Sequence, residues 1–502
     1  MDTRPLWFEA DIPSFAALDN DLVVDTLVIG AGITGVTTAH LLAAAGVRVA
    51  LVDREAIAVR DTGHTTAHLT YMTDTRLSHL AATHSPATAR IAWQAGAAAM
   101  GFIHGTVESL GIDCEFGIVP GYLAADRGNL LDHESSILEQ EAQLARKLGF
   151  DVTFLDQDPV TGLPCLYFPG QMKFHPRRYL AALVSEAVRA GAIIHEHTDV
   201  TAFQDGHVIA NGHRITYHHV IIATHVPLQG ESGTLGAALF QAKLSLYSSY
   251  AVAAKLPPGQ RDEMIWSDTA DPFNYLRIDR HDDGDFAIFG GEDHKTGQSD
   301  TTTGCFDALE ERLAELLPGA VVTHRWSGQV VESIDGLPFI GLTREGQFIA
   351  TGFSGNGMTF GTLAAMMARD AVLGIDNPWS KTFSPSRKVL ASLRDFLSEN
   401  SDYPVHMVTD RFRVSHDSPA SIIACRGKII EHDSGPVAAF RDEEGQIHLH
   451  SAVCPHLGCI VAWNHAEKTW DCPCHGSRFR ATGEVIAGPA ERNLKPVPQE
   501  SN

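Results

Sequence analysis

Two cysteine–histidine pairs near the C-terminus constrain this 502-residue chain more than any other feature. Cys454 and His456 lie in the sequence CPHLGC, and Cys472 and His475 lie in CPCHGS. Fifteen residues separate the two pairs. Two thiolates and two imidazoles can hold a [2Fe–2S] cluster, with both cysteines on one iron and both histidines on the other. The four residues therefore predict a one-electron redox centre.

A structural zinc site is the alternative interpretation, because zinc also accepts two cysteines and two histidines. Zinc modules usually space their pairs as C-x₂₋₄-C and H-x₃₋₅-H, whereas here each pair mixes cysteine with histidine. The two segments resemble the cluster-binding loops of Rieske iron–sulfur proteins nearly residue by residue. That resemblance implies a Rieske [2Fe–2S] cluster with Cys454, His456, Cys472 and His475 as its ligands.

Cys459 and Cys474 are the two cysteines of these segments that the ligand set leaves over. They match the positions of a disulfide that links the two cluster loops in the Rieske subunits of respiratory cytochrome bc complexes. The resemblance therefore implies the same bond here. Two free buried thiols are the alternative, which a reducing compartment favours.

A second cofactor motif lies near the N-terminus. Residues 23–29 are mostly apolar and β-branched, as in a buried strand, and the glycine-rich sequence GAGITG follows at 30–35. A helix is predicted over 36–45 and a second strand over 47–52, ending at Asp53. The glycines permit a tight turn and a close approach to a pyrophosphate, and the acid can bind a ribose hydroxyl. The motif predicts a dinucleotide site without choosing between NAD and FAD.

Later segments resemble the D-amino-acid-oxidase-like flavoproteins (glycine oxidase and sarcosine oxidase) over roughly residues 20–375. They read TGHTTA from 62, HPRRY from 175, DV from 199, VIIATH from 220, DGLPFIG from 335 and ATGFSGNGMT from 350. The whole chain resembles bacterial FAD-dependent oxidoreductases with a C-terminal Rieske domain. This resemblance implies noncovalent FAD, with covalent attachment through His64 or His68 as the alternative. The implied FAD-binding residues are Gly30, Gly32, Gly35, Asp53, Thr65, Thr66, Val200, Gly352, Gly357, Met358 and Thr359.

The predicted fold has three parts. They are an α/β FAD-binding domain of the Rossmann-like, glutathione-reductase type, an interleaved α+β substrate domain and a C-terminal all-β Rieske domain. The FAD-dependent oxidoreductase part covers residues 1–385, the linker 386–404 and the Rieske domain 405–502. FAD-binding segments are expected at about 20–75, 165–230 and 335–375, with the substrate domain at about 76–164 and 231–334. Helices are predicted over 87–110 and 386–397, and strands over 246–254, 275–278 and 286–289.

Candidate catalytic residues lie on or after the predicted strands of the substrate domain. They are Tyr275, Arg277 and His294. Arg277 could bind a substrate carboxylate through two parallel hydrogen bonds, and His294 could polarise a substrate or act as a base. Because the chain has 26 histidines, a structural role is an equally good interpretation of any one of them.

The composition of the chain argues against some classes of binding partner. The formal net charge of −23 argues against nucleic acid and against anionic membrane surfaces. No apolar run approaches the roughly 18 residues expected of a membrane span, and the start MDTRPLW has no secretory signal pattern. We therefore expect a cytoplasmic protein, and a homo-oligomer is compatible with the sequence.

These features together predict an FAD-dependent oxidoreductase or dehydrogenase. An amine or amino acid is the expected small-molecule substrate, with electrons passing one at a time from FAD through the cluster to an external acceptor. Two alternatives stay open. In the first, a reduced external donor charges the cluster and FAD reduces a substrate. In the second, the protein is a non-catalytic electron carrier or redox sensor.

Overall fold

The structure, a computed structural model, describes residues 3–126, 131–227, 243–281, 284–299, 301–343, 346–388, 415, 418–433 and 435–498. These residues form two compact units. The first comprises the described parts of Met1–His225, Ser249–Asp293 and Ala308–Leu390, and the second those of Val226–Ser248, His294–Asp307 and Ala391–Asn502. The predicted substrate-domain segment 231–334 thus contributes to both units. Most of the predicted linker 386–404 and its helix lie outside the described residues.

The predicted strand–helix–strand unit at the N-terminus is present. Its elements are Thr26–Ile29, Ile33–Ala44 and Val49–Val52. The two strands pair in parallel and all of their residues are buried. Strands covered on both faces are continuously apolar, which explains the sequences TLVI and VALV. The first strand is shorter than predicted, because Leu22–Val23 pairs in a different sheet.

Two sheets build the dinucleotide-binding part of the first unit. In spatial order, the six-stranded sheet contains Phe339–Leu342, Phe348–Thr351, His219–Ile222, Thr26–Ile29, Val49–Val52 and Ile193–His195. The four-stranded sheet contains Leu22–Val23, His213–Thr216, His207–Ala210 and Val200–Gln204. The six-stranded sheet therefore joins strands from three distant parts of the sequence.

A nine-stranded sheet carries the strands predicted for the substrate domain. In spatial order, eight of them are Val321–Ser333, Leu244–Leu256, Asp285–Lys295, Tyr275–Asp279, Met264–Asp268, Gly117–Ala124, Cys165–Lys173 and His68–Leu69. The ninth, Thr153–Leu155, pairs with Cys165–Lys173. The three strands predicted over 246–254, 275–278 and 286–289 all lie within this sheet, and each is longer than predicted.

Most helices of the described residues lie in the first unit. The α-helices are Ile33–Ala44, Leu77–Thr83, Pro86–Leu110, Leu131–Lys147, Pro176–Arg189, Thr302–Leu316, Gly357–Leu373 and Ser380–Phe383, and the 3₁₀ helices are Leu6–Glu9 and Pro419–Ser421. The helix predicted over 87–110 begins after Ser85, whose Oγ accepts a hydrogen bond from the N–H of Thr88, and ends at Gly111 with φ 61°. Among the described residues, no helix combines the length and apolar character needed to cross a membrane.

Two small antiparallel sheets form the C-terminal part of the second unit. Their strands are Arg426–Ile430, Val437–Arg441 and Ile447–Ser451 in one sheet, and Ala462–Asn464, Thr469–Asp471, Arg478–Arg480 and Val485–Ala487 in the other. Trp470 and Phe479 are buried together with the four cysteines of the CPHLGC and CPCHGS segments. The structure confirms the predicted all-β C-terminal domain.

Gly35 and Gly101 provide a matched test of the glycine-rich turn. Both lie in helices, but a Cβ at Gly35 would lie 1.8 Å from the carbonyl oxygen of Gly30, whereas a Cβ at Gly101 would meet no atom within 4 Å. Forced contacts in a packed interior cost about 1–3 kcal/mol, while alanine is favoured over glycine in an open helix by roughly 1 kcal/mol. We predict that Gly35→Ala lowers the thermal midpoint and the FAD content, and that Gly101→Ala leaves both unchanged or raises the midpoint. Equal midpoints in the two variants would contradict this packing argument.

Candidate functional site

The glycine-rich turn brings main-chain segments into close contact. Gly30 has φ 104°, and a Cβ there would lie 2.5 Å from the carbonyl oxygen of Ala223. Gly32 directly precedes the helix Ile33–Ala44, and a Cβ on it would lie 2.8 Å from Oγ1 of Thr62. The N–H of Ile33, the first of the helix, donates to Oγ1 of Thr62 at 3.0 Å. A glycine-rich turn at a helix N-terminus is the kind of place where the helix dipole favours a pyrophosphate.

Asp53 lies directly beside this turn. Its Oδ2 accepts a hydrogen bond from the N–H of Ala31 at 2.6 Å, and its Oδ1 accepts one from the N–H of Glu55 at 2.7 Å. Burial raises the pKa of Asp53, although these two N–H donors oppose the shift. The backbone of the next segment is also close, because the N–H of Thr198 donates to the carbonyl oxygen of Asp53 at 2.7 Å. The structure therefore places the predicted Val200 two residues from a direct contact with the acid.

The remaining predicted FAD-binding residues belong to two segments that the structure joins. Thr65 and Thr66 precede the short strand His68–Leu69. Gly352 directly follows the strand Phe348–Thr351, and Gly357, Met358 and Thr359 begin the helix Gly357–Leu373. The hydroxyl of Thr359 donates to the carbonyl oxygen of Thr70 at 3.0 Å. The bare glycine turn, the acid beside it and these joined segments fit a bound FAD.

His68, one of the alternative covalent attachment points, has both ring nitrogens in hydrogen bonds. Its Nδ1 lies 2.8 Å from Oγ1 of Thr66, and its Nε2 lies 3.3 Å from the carbonyl oxygen of Leu276. Burial lowers the pKa of this imidazole to about 4. Both ring nitrogens of His68 are therefore engaged by protein partners, and noncovalent FAD stays a prediction.

Arg277, the predicted carboxylate clamp, is buried at 0% exposure, and its Nη2 has no hydrogen-bond partner among the described residues. A role in binding substrate stays a prediction. The Nε of Arg277 donates to Asp279 at 3.0 Å, and its Nη1 donates to the carbonyl oxygens of Ala67 and Phe174 at 3.0 and 2.9 Å. The guanidinium therefore braces the Thr66–Ala67 segment against the nine-stranded sheet, which the sequence pattern could not reveal.

Tyr275 is partly accessible and belongs to a polar group that the sequence did not single out. Its hydroxyl lies 2.8 Å from Oγ of Ser249, which is also a hydrogen-bond partner of Asp293. Nearby, Asp74 accepts hydrogen bonds from the N–H of Gly355 at 2.6 Å and from Nδ2 of Asn356 at 2.8 Å. These bonds connect Asp74 to the loop that precedes the helix Gly357–Leu373.

Asp293, a member of this group, has a raised pKa. Loss of water around the carboxyl raises its pKa to about 7, Ser249 opposes the shift, and the charges of Asp74 and Glu292 add to it. Its Oδ1 is buried and makes no hydrogen bond with any described residue. Burial and the charge of Asp293 also raise the pKa of Tyr275. We refer to Asp74, Ser249, Tyr275 and Asp293 as the acid–tyrosine cluster.

His294 lies in the second unit, although it directly follows Asp293. Its Nδ1 lies 3.0 Å from the carbonyl oxygen of Lys295. Burial lowers the pKa of His294, and the guanidinium of Arg478 adds to this shift. The structure thus groups His294 with a residue of the C-terminal segment, and its role as a substrate base stays a prediction.

The two cysteine–histidine segments form a pair of loops with the same hydrogen bonds. In the first loop, the N–H of Cys454 donates to the carbonyl oxygen of Cys459 at 2.8 Å, and the N–H of Gly458 donates back to Cys454 at 3.0 Å. In the second loop, the N–H of Cys472 donates to the carbonyl oxygen of Ser477 at 2.8 Å, and the N–H of Gly476 donates to the carbonyl oxygen of Cys472 at 2.9 Å. Both glycines have positive φ, 81° and 70°, which explains the glycine in each segment.

All four predicted ligands come together between these loops. Cys454 and Cys472 are buried, and the rings of His456 and His475 lie with their centroids 5.0 Å apart. The thiol of Cys472 holds the pKa of the Cys454 thiol below its ordinary value. The Nδ1 of His456 is buried and has no hydrogen-bond partner among the described residues. Two adjacent thiols and two converging imidazoles fit a Rieske [2Fe–2S] cluster.

A disulfide holds the two loops together. Cys459 and Cys474 are bonded, with their sulfurs 1.99 Å and their Cα atoms 6.5 Å apart. The sulfur of Cys472 lies within 4.8 Å of both, but two bonded sulfurs are not thiolate ligands. The hydroxyl of Ser477 accepts a hydrogen bond from the N–H of Ala490 at 2.9 Å and is also a hydrogen-bond partner of Cys454. The predicted disulfide is therefore present, and it leaves Cys454 and Cys472 as the thiolate donors.

Comparisons with known proteins agree with both sites. The family model described as FAD dependent oxidoreductase matches residues 25–371, and the Rieske [2Fe-2S] domain model matches residues 422–498. The chain is 33% identical over 506 residues to the Bacillus subtilis protein named putative Rieske 2Fe-2S iron-sulfur protein YhfW, covering 97% of this chain and 96% of that protein. It is also 59% identical over 44 residues to a cytochrome b6-f complex iron-sulfur subunit of Nostoc, a match to 9% of this chain and 25% of the subunit.

Solved structures show the same fold in the flavoprotein part. Glycine oxidase from Geobacillus kaustophilus has a TM-score of 0.60 at 20% identity and covers 73% of this chain and 100% of its own. L-proline dehydrogenase from P. horikoshii has a TM-score of 0.59 at 18% identity and covers 74% of this chain and 98% of its own. The chain therefore belongs to the FAD-dependent oxidoreductase family typified by D-amino-acid oxidase, and it carries a C-terminal Rieske [2Fe–2S] domain.

Proposed function

We propose that this oxidoreductase oxidises a small amine and passes the electrons one at a time through its cluster to an external acceptor. The presence of an FAD-binding fold and a complete Rieske ligand set on one chain is the observation that carries the proposal. When bound, FAD takes two electrons from a C–H bond next to nitrogen, and the cluster transfers single electrons. The protein contributes position and electrostatics to that chemistry.

The acid–tyrosine cluster supports an amine as the substrate class. Structural neighbours are named for glycine and L-proline, both of which have a C–H bond next to nitrogen. A carboxylate-bearing substrate would need a cationic partner, and Nε and Nη1 of the buried Arg277 are held by internal acceptors, which leaves only its Nη2 without a partner among the described residues. Asp293 and Tyr275, in contrast, are partly accessible and can accept hydrogen bonds from an ammonium group. These residues support recognition of the substrate through its nitrogen, as in an amine or an amino acid.

In this proposal Asp293 binds and orients the substrate nitrogen. A cation beside the carboxyl stabilises its ionised form, so binding displaces the proton that the raised pKa retains. The hydroxyl of Ser249 then donates a hydrogen bond to the ionised Asp293 and accepts one from the hydroxyl of Tyr275, which fixes their separation. Asp74 connects this group to the Gly355–Asn356 loop at the predicted flavin site.

Asp293→Asn tests the substrate class. A charge-assisted hydrogen bond contributes about 1.5–3 kcal/mol, so we predict that primary and secondary alkylamines bind about 10–100-fold more weakly to the variant. In the unmodified protein, amine binding should strengthen as the pH rises through about 7, because the proton on Asp293 competes with the cation. The variant should lose this dependence. Titrations that follow the flavin absorbance spectrum give both values.

Asp262→Asn is the control for that experiment, since Asp262 is an exposed carboxylate paired with Arg280 at 2.8 Å. It should bind amines as the unmodified protein does. Tighter binding of alkyl carboxylates than of matched amines would contradict the amine proposal and favour amino acids or carboxylic acids.

Measuring the FAD and iron content of variants tests the flavin site and the cluster site independently. We predict one FAD and two irons with acid-labile sulfide per chain, and an EPR spectrum of mixed histidine and cysteine ligation after reduction. His475→Ala should remove that spectrum and keep FAD, whereas Gly32→Val should lose FAD and keep the cluster, because the two ligand sets lie in separate units. Stoichiometric zinc without sulfide, in protein produced with ample iron, would refute the cluster.

The relay is tested by anaerobic rapid mixing with an amine that bleaches the flavin. Flavin absorbance should fall first and the cluster signal should follow. His475→Ala should keep the first phase and slow turnover with a one-electron acceptor. Cluster reduction by an external donor before any flavin change would favour the reverse flow. A flavin that no substrate or donor reduces through either route would favour the non-catalytic carrier.

A further inference from the structure

A histidine lies at the edge of the six-stranded sheet from which the glycine-rich turn emerges. The strand His219–Ile222 pairs in parallel with Thr26–Ile29, so the two strands end at the same edge. The GAGITG turn directly follows the second strand, and His225 follows the first by three residues. Ligands of open α/β sheets bind outside the carboxyl ends of the parallel strands. His225 therefore lies at the edge where this fold binds a dinucleotide.

Two predicted flavin-binding segments contact the main chain around His225. The carbonyl oxygen of Ala223 lies so near Gly30 that a Cβ on the glycine would reach within 2.5 Å of it. The carbonyl oxygen of His225 itself accepts a hydrogen bond from the hydroxyl of Thr351 at 2.6 Å. Thr351 directly precedes Gly352, one of the predicted FAD-binding residues. The residues after the strand are therefore held between the glycine-rich turn and a second flavin-binding segment.

A third segment holds the imidazole ring. Oδ2 of Asp61 lies 2.7 Å from Nδ1 of His225. The next residue, Thr62, accepts the N–H of Ile33 at the start of the helix. One of the N–H groups that a helix N-terminus can offer to an anion is therefore already used. A further donor at this edge would strengthen the binding of a pyrophosphate.

The backbone of His225 adopts a conformation that is unfavourable for a residue with a side chain. Its φ is 64°, in the left-handed region. Such strain persists only where the surrounding structure maintains it, and strained residues cluster at functional sites. Glycine would adopt the same conformation at lower cost. The imidazole ring therefore contributes an interaction that glycine could not make.

Asp61 stabilises the charged form of this imidazole. Burial lowers the pKa of His225, but the charge of Asp61 and its hydrogen bond outweigh burial and raise the pKa above its ordinary value. On the same loop, Arg60 pairs with Glu55, and Nδ1 of His64 faces the carbonyl oxygen of Arg60. The side chain of His225 is 22% exposed, and its Nε2 has no hydrogen-bond partner among the described residues. With Nδ1–H donated to Asp61, Nε2 is a donor only while the ring is protonated.

We propose that the protonated His225, held by Asp61, binds the pyrophosphate of FAD through its Nε2. This role is independent of the substrate and of the direction of electron flow. The pyrophosphate is an anion, and the GAGITG turn offers it main-chain N–H groups but no cationic side chain. A hydrogen bond from an imidazolium to a phosphate oxygen is stronger than one from a neutral donor. FAD therefore binds most tightly while His225 is protonated.

FAD release from the full-length protein with both cofactors bound tests this role. The protein is diluted at pH values between about 6 and about 9, a range that includes the ordinary histidine pKa and values above it. Flavin fluorescence reports the FAD that is released. We expect faster release as the pH rises through the raised pKa of His225, because the neutral ring no longer donates through Nε2.

His225→Asn should release FAD about 10–100-fold faster than the unmodified protein at the low end of this range, and the pH dependence should disappear. Asparagine tolerates the left-handed conformation, so the main chain is preserved. His225→Gly relieves the backbone strain and should release FAD equally fast. Faster release from that variant cannot come from strain, because glycine adopts the conformation freely.

Phosphorus NMR of bound FAD separates a direct contact from a structural effect. In the unmodified protein, the chemical shifts of the pyrophosphate should change with pH, with a midpoint above the ordinary histidine pKa. They should be independent of pH in His225→Asn. Asp61→Asn should lower the midpoint, because the carboxylate that stabilises the imidazolium is lost.

His448→Asn is the matched control. His448 makes the same kind of pair in the second unit, 2.8 Å from Asp442, and its side chain is 20% exposed. This variant should release FAD at the unmodified rate at every pH. Release from both His225 variants at the unmodified rate would overturn the inference, as would pyrophosphate shifts that do not respond to pH in the unmodified protein.

Discussion

Close approach of one main-chain segment to another underlies both cofactor sites of this protein. At the flavin site, Gly35 lies so near Gly30 that a Cβ would reach within 1.8 Å of its carbonyl oxygen. At the cluster, Gly297 approaches the backbone of Cys472 and Pro473 in the same manner. Side chains are excluded from these places, so backbone geometry sets the positions of the cofactor-binding loops. Such geometry is tolerant of substitution elsewhere but not at the glycines themselves.

A network of buried charges also fixes the position of a chain segment in the first unit. Burial would raise the pKa of Asp279, but Arg277 and Lys173 outweigh it and hold the pKa below its ordinary value. Lys173 lies 2.6 Å from Asp279 and 2.9 Å from Glu263. Buried charges that are paired in this way are costly to break, because the remaining partner would be left uncompensated. The network therefore fixes the Thr66–Ala67 segment through the Arg277 guanidinium.

The cluster loops combine hydrophobic burial with covalent restraint. Their two matched main-chain patterns place a cysteine at the start of each loop, and the Cys459–Cys474 bond links them. In the proposed function the same region meets two demands, since it must hold a charged cluster and accept electrons from the flavoprotein part. Histidine ligands reduce the negative charge on the cluster, which suits a chain whose net charge is already −23.

Sequence alone determined the local parts of both sites. The strand–turn–helix at residues 26–44 follows from an apolar run, closely spaced glycines and a helical segment, all of them neighbours in the chain. Cys454, His456, Cys472 and His475 could be predicted as cluster ligands for the same reason, since two short loops contain them. Tertiary structure decided the rest. The guanidinium of Arg277 donates a hydrogen bond to Ala67, which lies 210 positions away in the chain. Asp74 bonds to Asn356 across 282 positions, and no local pattern encodes a contact between residues so far apart. Their proximity is set by the packing of whole sheets and helices, because many weak contacts together fix positions that no single residue specifies.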